Sequence, residues 1–317
     1  MFAPTTNDIM KHSLSIVIPV RNEAKHMRAC IESWLSQTVE VEKIVVIDSG
    51  STDGTLEILA EYPKVQLIEI DGSTFNHGTT RNIAMQQVTT DLTLMTVGDG
   101  RAASDDVLQR MMSSFTSDDV AGVCGHQIVA HEPDKNPVEW FRPQSEPVVR
   151  SHRFESADAF DNASPEEKHT AGSWDDVIAM YRTDILKNVI PYKAITYGED
   201  TQWAVDALRS GYTLAYDPGA RVYHYHLENE DVFYRRAITM LFLRDRFFGV
   251  VPESSPPSLV PLLRSTKTLL ATPGLKLTER LYWLRYNVGQ SRAIRRAIGD
   301  YLDAKKQGEQ SVTDLHD

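Results

Sequence analysis

Short apolar runs alternate with amphipathic stretches through the first 125 residues of the chain. Leu14–Ile18 is the first run and ends at Pro19. Behind it Met27, Cys30, Ile31, Trp34 and Leu35 fall at i, i+3, i+4, i+7 and i+8, the spacing of a helix that buries one face. Ile44–Ile47 predicts a second buried strand, followed by Ser-Gly-Ser-Thr-Asp-Gly and a short helix around Leu56–Ala60. Val65–Ile70, Leu92–Val97 and Val120–Val129 predict three further strands, with helices at Thr79–Val88 and at about Ser104–Phe115. Alternation at this spacing predicts an α/β fold: a doubly wound, mostly parallel sheet with right-handed crossovers and flanking helices.

Between His131 and His169 the pattern dissolves into Pro, Asp, Glu, His and aromatic residues. An irregular excursion of that length inside a compact domain is usually functional or mobile. Order returns with Asp176–Tyr181, helices near Thr183–Asn188 and Glu199–Ser210, and two short strands at Thr213–Tyr216 and Arg221–His226. The rest reads as helix: Asp231–Phe248, a Pro/Ser linker at Pro252–Pro257, then Leu259–Leu270 and Leu277–Ala304. The organisation expected is an α/β domain over residues 1–228 and a helical C-terminal extension over 229–317.

Composition narrows the classes. A net charge of −11 argues against a surface that coats nucleic acid. Two cysteines, Cys30 and Cys124, are too few for a disulfide scaffold or a structural zinc site. No apolar run approaches the roughly 18 residues of a spanning helix. Polar Thr5, Thr6, Asn7 and Asp8 occupy the place of a leader's apolar stretch, so a cytoplasmic location is expected. The charge is uneven: residues 236–306 carry thirteen Lys/Arg against five Asp/Glu, about +8, which leaves the remainder near −19.

Ligands of a doubly wound sheet sit on the loops beyond the carboxyl ends of its strands. Here those loops read Pro19-Val-Arg-Asn-Glu23, Asp48-Ser-Gly-Ser-Thr-Asp53, Phe75-Asn-His-Gly-Thr-Thr-Arg-Asn82 and Gly98-Asp-Gly-Arg101. Arginine for charge, amides for oxygens and isolated aspartates for base edges and a metal are what a nucleoside diphosphate needs.

The blocks LSIVIPVRNE, VVIDSGSTDGT, FNHGTTRNIA, YGED and VYHYH, in this order, resemble family 2 glycosyltransferases, whose fold is the GT-A type. FNHGTTRNIA, GEDTQWAVDALRSGY and the HYH close are most similar to the bacterial rhamnosyltransferase branch. The resemblance covers about residues 13–226. It implies that Pro19, Arg21, Glu23, Asp48 and Asp53 hold the base and ribose of a nucleotide-sugar donor, with Arg81 near the phosphates and His77 on the same loop. It also implies Asp200 as general base, with Glu199 orienting the acceptor or buttressing it. The reaction implied is an inverting transfer, of L-rhamnose from dTDP-rhamnose before other UDP-, GDP- or dTDP-sugars, to a glycan or lipid-linked glycan in bacterial surface polysaccharide synthesis. Glu132–Lys168 is expected to shape the acceptor cleft.

Where the family's metal motif is usually Asp-x-Asp, this chain has Gly98-Asp99-Gly100, a single carboxylate for Mg²⁺ or Mn²⁺. Such ions take one or two protein ligands and complete their shell from phosphate and water. His224 and His226 lie at i and i+2 on one face of an extended segment, and the resemblance favours His224 as second ligand.

Plain structural uses compete with each assignment. Ser51 and Asp53 suit a turn and cap, Glu199 and Asp200 also start a helix, and Asp99 suits a turn. Gly98-Asp-Gly-Arg-Ala-Ala103 matches the loose G-x-G-x-x-A fingerprint of an NAD(P) oxidoreductase, although it follows the fourth strand rather than the first. A non-catalytic sugar-nucleotide binder is a further alternative. In the tail, Met240–Leu243, Phe247, Phe248, Leu281, Trp283, Leu284 and Tyr286 neighbour arginines. That pattern suits peripheral contact with the inner face of the cell membrane, or packing within the chain or in a homodimer.

Overall fold

The structure, a computed structural model, describes residues 12–140, 146–254 and 259–316, with backbone alone for 259–261. The polar stretch Thr5–Asp8, Phe141 and part of the Pro252–Pro257 linker lie outside the described residues.

Among the described residues nine strands form one sheet: β1 (Leu14–Val20), β2 (Lys43–Asp48), β3 (Val65–Glu69), β4 (Leu92–Thr96), β5 (Arg101–Ala102), β6 (Val120–Ile128), β7 (Arg150–His152), β8 (Ile178–Arg182) and β9 (Thr213–Tyr223). Their order is β3-β2-β1-β4-β8-β6-β9-β5, with β7 beside β9. The first four strands are parallel and are connected through α1 (Ala24–Leu35), α2 (Thr55–Leu59) and α3 (His77–Met85). β8 then runs antiparallel to both β4 and β6, and β6 and β9 are parallel. The sheet is therefore mixed: β1, β2, β3, β4, β6 and β9 run one way, and β5, β7 and β8 the other. An apolar run marks a buried strand but not its direction, which depends on the side from which the preceding loop returns.

The apolar spacing of α1 does what it implies: Met27, Cys30, Ile31 and Trp34 are buried against the sheet. On the same core lie Val107, Leu108, Met111 and Met112 of α4 (Val107–Ser113). The segment after Gly100 does not open a helix, as a dinucleotide fingerprint requires, but forms β5 against β9. That removes the oxidoreductase reading. The predicted strands Thr213–Tyr216 and Arg221–His226 are one strand, β9, with register shifts opposite β6. The irregular excursion contains α5 (Pro137–Trp140), β7, α6 (Ala157–Asp161) and α7 (Pro165–Gly172). A Ser164–Glu167 capping box starts the last of these.

Register collects the functional loops. Thr96, the last residue of β4, pairs with Ile178, the first of β8, and Cys124 of β6 pairs with Ala179. Ile128 and Tyr223 end β6 and β9 side by side. The carboxyl ends of β1, β2, β4, β6 and β9 and the amino end of β8 therefore share one edge.

Contacts divide the chain into two compact units, Met1–Ile128 with Gln144–His224 and Val129–Pro143 with Tyr225–Asp317, taken over the described residues. The first unit ends with α8 (Glu199–Arg209) and β9; the second comprises α5 and the tail helices α9 (Glu230–Phe248), α10 (Leu259–Ala271), α11 (Leu277–Gln307) and α12 (Glu309–His316). Ile238, Ala297, Tyr301, Ala304 and Val312 form its core, with Tyr234, Leu241 and Phe242 packed on it. Tyr301 donates to Asp245 at 2.8 Å and Tyr234 to Asp300 at 2.6 Å. No helix of the described residues is long and apolar enough to cross a membrane.

Candidate active site

The loops after β1 and β2 are built as one piece. Asn22, in the left-handed region at φ 58°, donates its N–H to Ser51 Oγ and accepts from the Thr52 N–H, both at 2.8 Å. Asp48 is 1% exposed. It accepts from the N–H groups of Gly50 and Ser51 at 2.8 and 2.9 Å and from the Ser51 hydroxyl. Asp53 accepts from the Thr55 hydroxyl at 2.6 Å and from the Ala24 N–H at 3.0 Å. The Thr55 hydrogen bond, before the backbone donors, holds its pKa below the usual carboxylate value. Asp48 and Asp53 thus organise loops and cap α1 and α2. Pro19 at the end of β1 is partly buried, and Arg21 is exposed. A Cβ at Gly72 would stand 3.6 Å from the Arg21 guanidinium and 2.6 Å from the Ser49 carbonyl, so glycine permits that approach.

Two acids meet beside this turn. A side chain at Gly98 would stand 2.8 Å from Glu23 Cγ. Burial, then the charges of Asp99 and Asp53, push the Glu23 carboxyl up to about 7. Its folded value lies above its ordinary 4.5, so the folded state holds the proton more tightly. The stabilising contribution is complete below about 4.5 and is lost as pH rises to about 7. In metal-free protein, thermal melts from pH 5 to 8 should show a fall in stability that Glu23→Gln removes; equal slopes in both proteins would contradict this.

Asp99 Oδ2 lies 3.5 Å from His224 Nε2, with the two side chains 13% and 10% exposed. His224 Nδ1 faces Gln127 Oε1 at 2.8 Å, and Gln127 hydrogen-bonds Asp175. Asp175 is partly buried, and the loss of solvent raises its pKa to about 6, so at neutral pH its carboxylate accepts from the Gln127 amide. The Gln127 oxygen is then left for His224, where it needs a donor. With a proton on Nδ1 toward that oxygen, His224 would present Nε2 to a cation beside Asp99. One carboxylate oxygen and one imidazole nitrogen, the ring held from behind by Gln127, fit a divalent cation whose shell phosphate and water complete.

A second cluster surrounds the start of α8. Arg81 Nε lies 3.2 Å from Asp176 Oδ2, and its Nη1 pairs with Glu199. Asp176 also accepts from the Tyr181 hydroxyl and, at 2.8 Å, from Tyr192; Trp174 Nε1 donates to Tyr181 at 2.7 Å. Arg81 is 6% and Glu199 5% exposed. The expectation that Arg81 lies near the phosphates meets a different arrangement: its charge is consumed by two buried carboxylates inside the fold. Asp200, next to this pair, has its pKa raised well above the usual value by burial, then by Asp176 and Glu199, while Arg81 opposes the rise. His77 is edge-on to Phe75 at 4.8 Å between centroids, and burial lowers its pKa.

The FNHGTTRN block explains how this cluster is held. Asn76 accepts from the Thr79 N–H at 3.0 Å, capping α3, and donates to the Ile195 carbonyl at 2.8 Å. Asn82 exchanges two hydrogen bonds with the Tyr192 backbone, at 2.8 and 3.2 Å. Gly78 lies against the Lys193 carbonyl, where a Cβ would overlap backbone. Together they clamp residues 192–195, which lead into Glu199 and Asp200. Gly78→Ala should therefore displace that segment and cut turnover at least tenfold, whereas Thr79→Ala, at an exposed position, should leave it unchanged. Equal turnover in both variants would refute the clamp.

The structure thus brings Glu23, Asp53 and Asp99 together, joins Asp99 to His224, and gathers His77, Arg81, Glu199 and Asp200 around Asp176. Gln127, Asp175, Asp176, Tyr181 and Tyr192 were missed in the sequence. The available signal was Trp174-Asp175-Asp176, adjacent acids immediately before an apolar strand.

This fold and these loops define a class: residues 15–190 match the profile of glycosyl transferase family 2, and the chain belongs to that family. The O-antigen chain rhamnosyltransferase RfbN of Salmonella typhimurium is 26% identical over 217 residues, 67% of this chain and 66% of that protein. WbaN of Salmonella anatum, also an O-antigen chain rhamnosyltransferase, is 27% identical over 221 residues, 68% and 66% of the respective chains. The chain thus matches just under two thirds of the length of these relatives. Among solved structures, the mannosyltransferase PcManGT of Pyrobaculum calidifontis, in complex with GDP-Man and Mn²⁺, superposes with TM-score 0.55 at 14% identity, covering 96% of this chain and 79% of that one. S. aureus TarS 1-349 with UDP-GlcNAc gives TM-score 0.56 at 16% identity, covering 96% and 80%. The fold is of the GT-A type.

Proposed function

We propose that the protein is an inverting, cation-dependent glycosyltransferase that moves L-rhamnose from dTDP-rhamnose to a glycan hydroxyl during bacterial surface polysaccharide assembly. The observation that carries the reading is the Asp99–His224 pair, with the far ring nitrogen of His224 held by Gln127. The name of the PcManGT complex, with its Mn²⁺ and nucleotide sugar, supports the donor class; the names of RfbN and WbaN support the sugar.

Arg21, Asn22 and the Asp48–Asp53 loop would hold the nucleoside. Asp99 and His224 would hold Mg²⁺ or Mn²⁺, which when bound would offset charge on the departing diphosphate. Asp200 takes the proton of the acceptor hydroxyl as its oxygen bonds to C1 and the C1–O bond to the nucleoside diphosphate breaks, inverting the anomeric centre. A carboxylate raised from its ordinary pKa accepts that proton more readily, and Glu199 and Arg81 position it.

Mass spectrometry of the products from a panel of nucleotide sugars, with a rhamnosylated glycan acceptor and with Mn²⁺ or a chelator, tests the proposal. Rhamnosyl transfer that stops on chelation is expected. Transfer of another sugar alone would overturn the donor, and donor binding with neither transfer nor hydrolysis would indicate a non-catalytic binder. Gln127→Leu should lower Mn²⁺ affinity about 10–100-fold, measured by calorimetry. Unchanged affinity would remove Gln127 from the site.

A further inference from the structure

The second unit leaves a set of apolar residues on α10 and the first turns of α11 exposed. Phe248 of α9 is 3% exposed and Trp283 of α11 is 4%, so these side chains, which the sequence offers to a lipid surface, face inward. In their place Leu263 and Leu270 are each 68% exposed, Leu277 is 72%, and Leu281 and Tyr282 are about half exposed. Leu263 and Leu270 are seven apart on α10, and Leu277 and Leu281 four apart on α11, so each pair forms a stripe along its helix.

The hairpin is rigid at its turn. The Arg280 guanidinium donates to the carbonyls of Leu269, Leu270 and Thr272 and to Leu275, closing the end of α10. The leucines are therefore displayed on fixed backbone. Five cations (Arg264, Lys267, Lys276, Arg280 and Arg285) stand among them against one acid, Glu279, a balance of +4 over 259–285. Lys267 lies between Leu263 and Leu270 on the same stripe. A cavity of about 270 Å³ lined by Leu262, Ser265, Ser291, Arg292 and Arg295 adds cationic character between the same helices.

We infer that the α10–α11 hairpin docks on an anionic lipid bilayer, its leucines entering the interface and its cations meeting the headgroups. Charge selects this occupant over a second copy of the chain. A two-fold interface would press the +4 hairpin against its own image, whereas anionic headgroups attract it. The inference does not depend on which sugar or donor the first unit uses.

Flotation of the full chain with vesicles of phosphatidylcholine alone, or with 30% phosphatidylglycerol, provides the test. The chain should float with the anionic vesicles and not with the neutral ones, and 0.5 M salt should release most of it. Arg264→Glu/Lys267→Glu should reduce partitioning at least about 30-fold, from roughly fivefold per lost cation. Leu263→Ser/Leu270→Ser/Leu277→Ser should abolish flotation while circular dichroism and melting of the first unit stay as in the parent. Undiminished flotation of the leucine variant, equal flotation with neutral vesicles, or no flotation of the parent would each overturn the inference. So would a parent dimer in light scattering that becomes monomeric in the leucine variant without lipid binding.

Discussion

Arg81→Met should destabilise the first unit by about 3–5 kcal/mol, the largest loss expected of any single substitution here. The cost is not that of one ion pair. Removing the guanidinium leaves Asp176 and Glu199, 1–2% and 5–6% exposed, without their counter-charge, inside a fold where water cannot replace it. Tyr181 and Tyr192 still donate to Asp176, so the penalty falls mainly on Glu199 and through it on the start of α8. Arg81→Lys should recover only part, because an ammonium cannot span both carboxylates as the guanidinium fork does. Urea titration followed by tryptophan fluorescence measures it, since Trp174 and Trp203 pack at 5.8 Å beside this cluster. A midpoint unchanged in Arg81→Met would show that the network is not structural and would return Arg81 to the phosphates.

Asp200→Asn should lower kcat by about 10²–10⁴-fold while donor affinity stays within a factor of about two. The amide keeps the shape of the carboxyl but cannot take a proton from the acceptor. Stability should rise or hold, because burial and the neighbouring Asp176 and Glu199 disfavour the ionised carboxyl. Loss of rate with gain of stability is the combination a structural cap would not give; a cap would lose stability and leave rate alone. Substantial residual turnover would remove Asp200 as base.

Much of this was legible in the chain. The i, i+3, i+4, i+7 spacing in α1 and the runs of β1, β2 and β4 fix buried faces, because burial is what periodicity records. The loops after those strands carry the polar residues that meet beyond the sheet. Direction and partnership were not legible. Nothing in Ile178–Arg182 says that it runs antiparallel between β4 and β6, since a strand buried on both faces reads alike either way. The partners of Arg81 were illegible for a related reason. An arginine on a functional loop looks available, and only tertiary placement shows Asp176 and Glu199 waiting for it. Gln127 was invisible because a glutamine at a strand end has no signal of its own; its use comes from lying between Asp175 and His224. Exposure likewise redistributed the tail, turning Trp283 and Phe248 inward and Leu263, Leu270 and Leu277 outward.

The proposed transfer requires a cation held at Asp99 and His224 against a nucleoside diphosphate. Calorimetric titration of dTDP into the full chain, with and without Mn²⁺, for the parent and for Asp99→Ala, examines it most directly. The parent should bind at least tenfold more tightly with Mn²⁺, and Asp99→Ala should lose that gain while retaining its metal-free affinity. Equal dTDP affinity with and without Mn²⁺ in the parent, or a full gain in Asp99→Ala, would contradict the account.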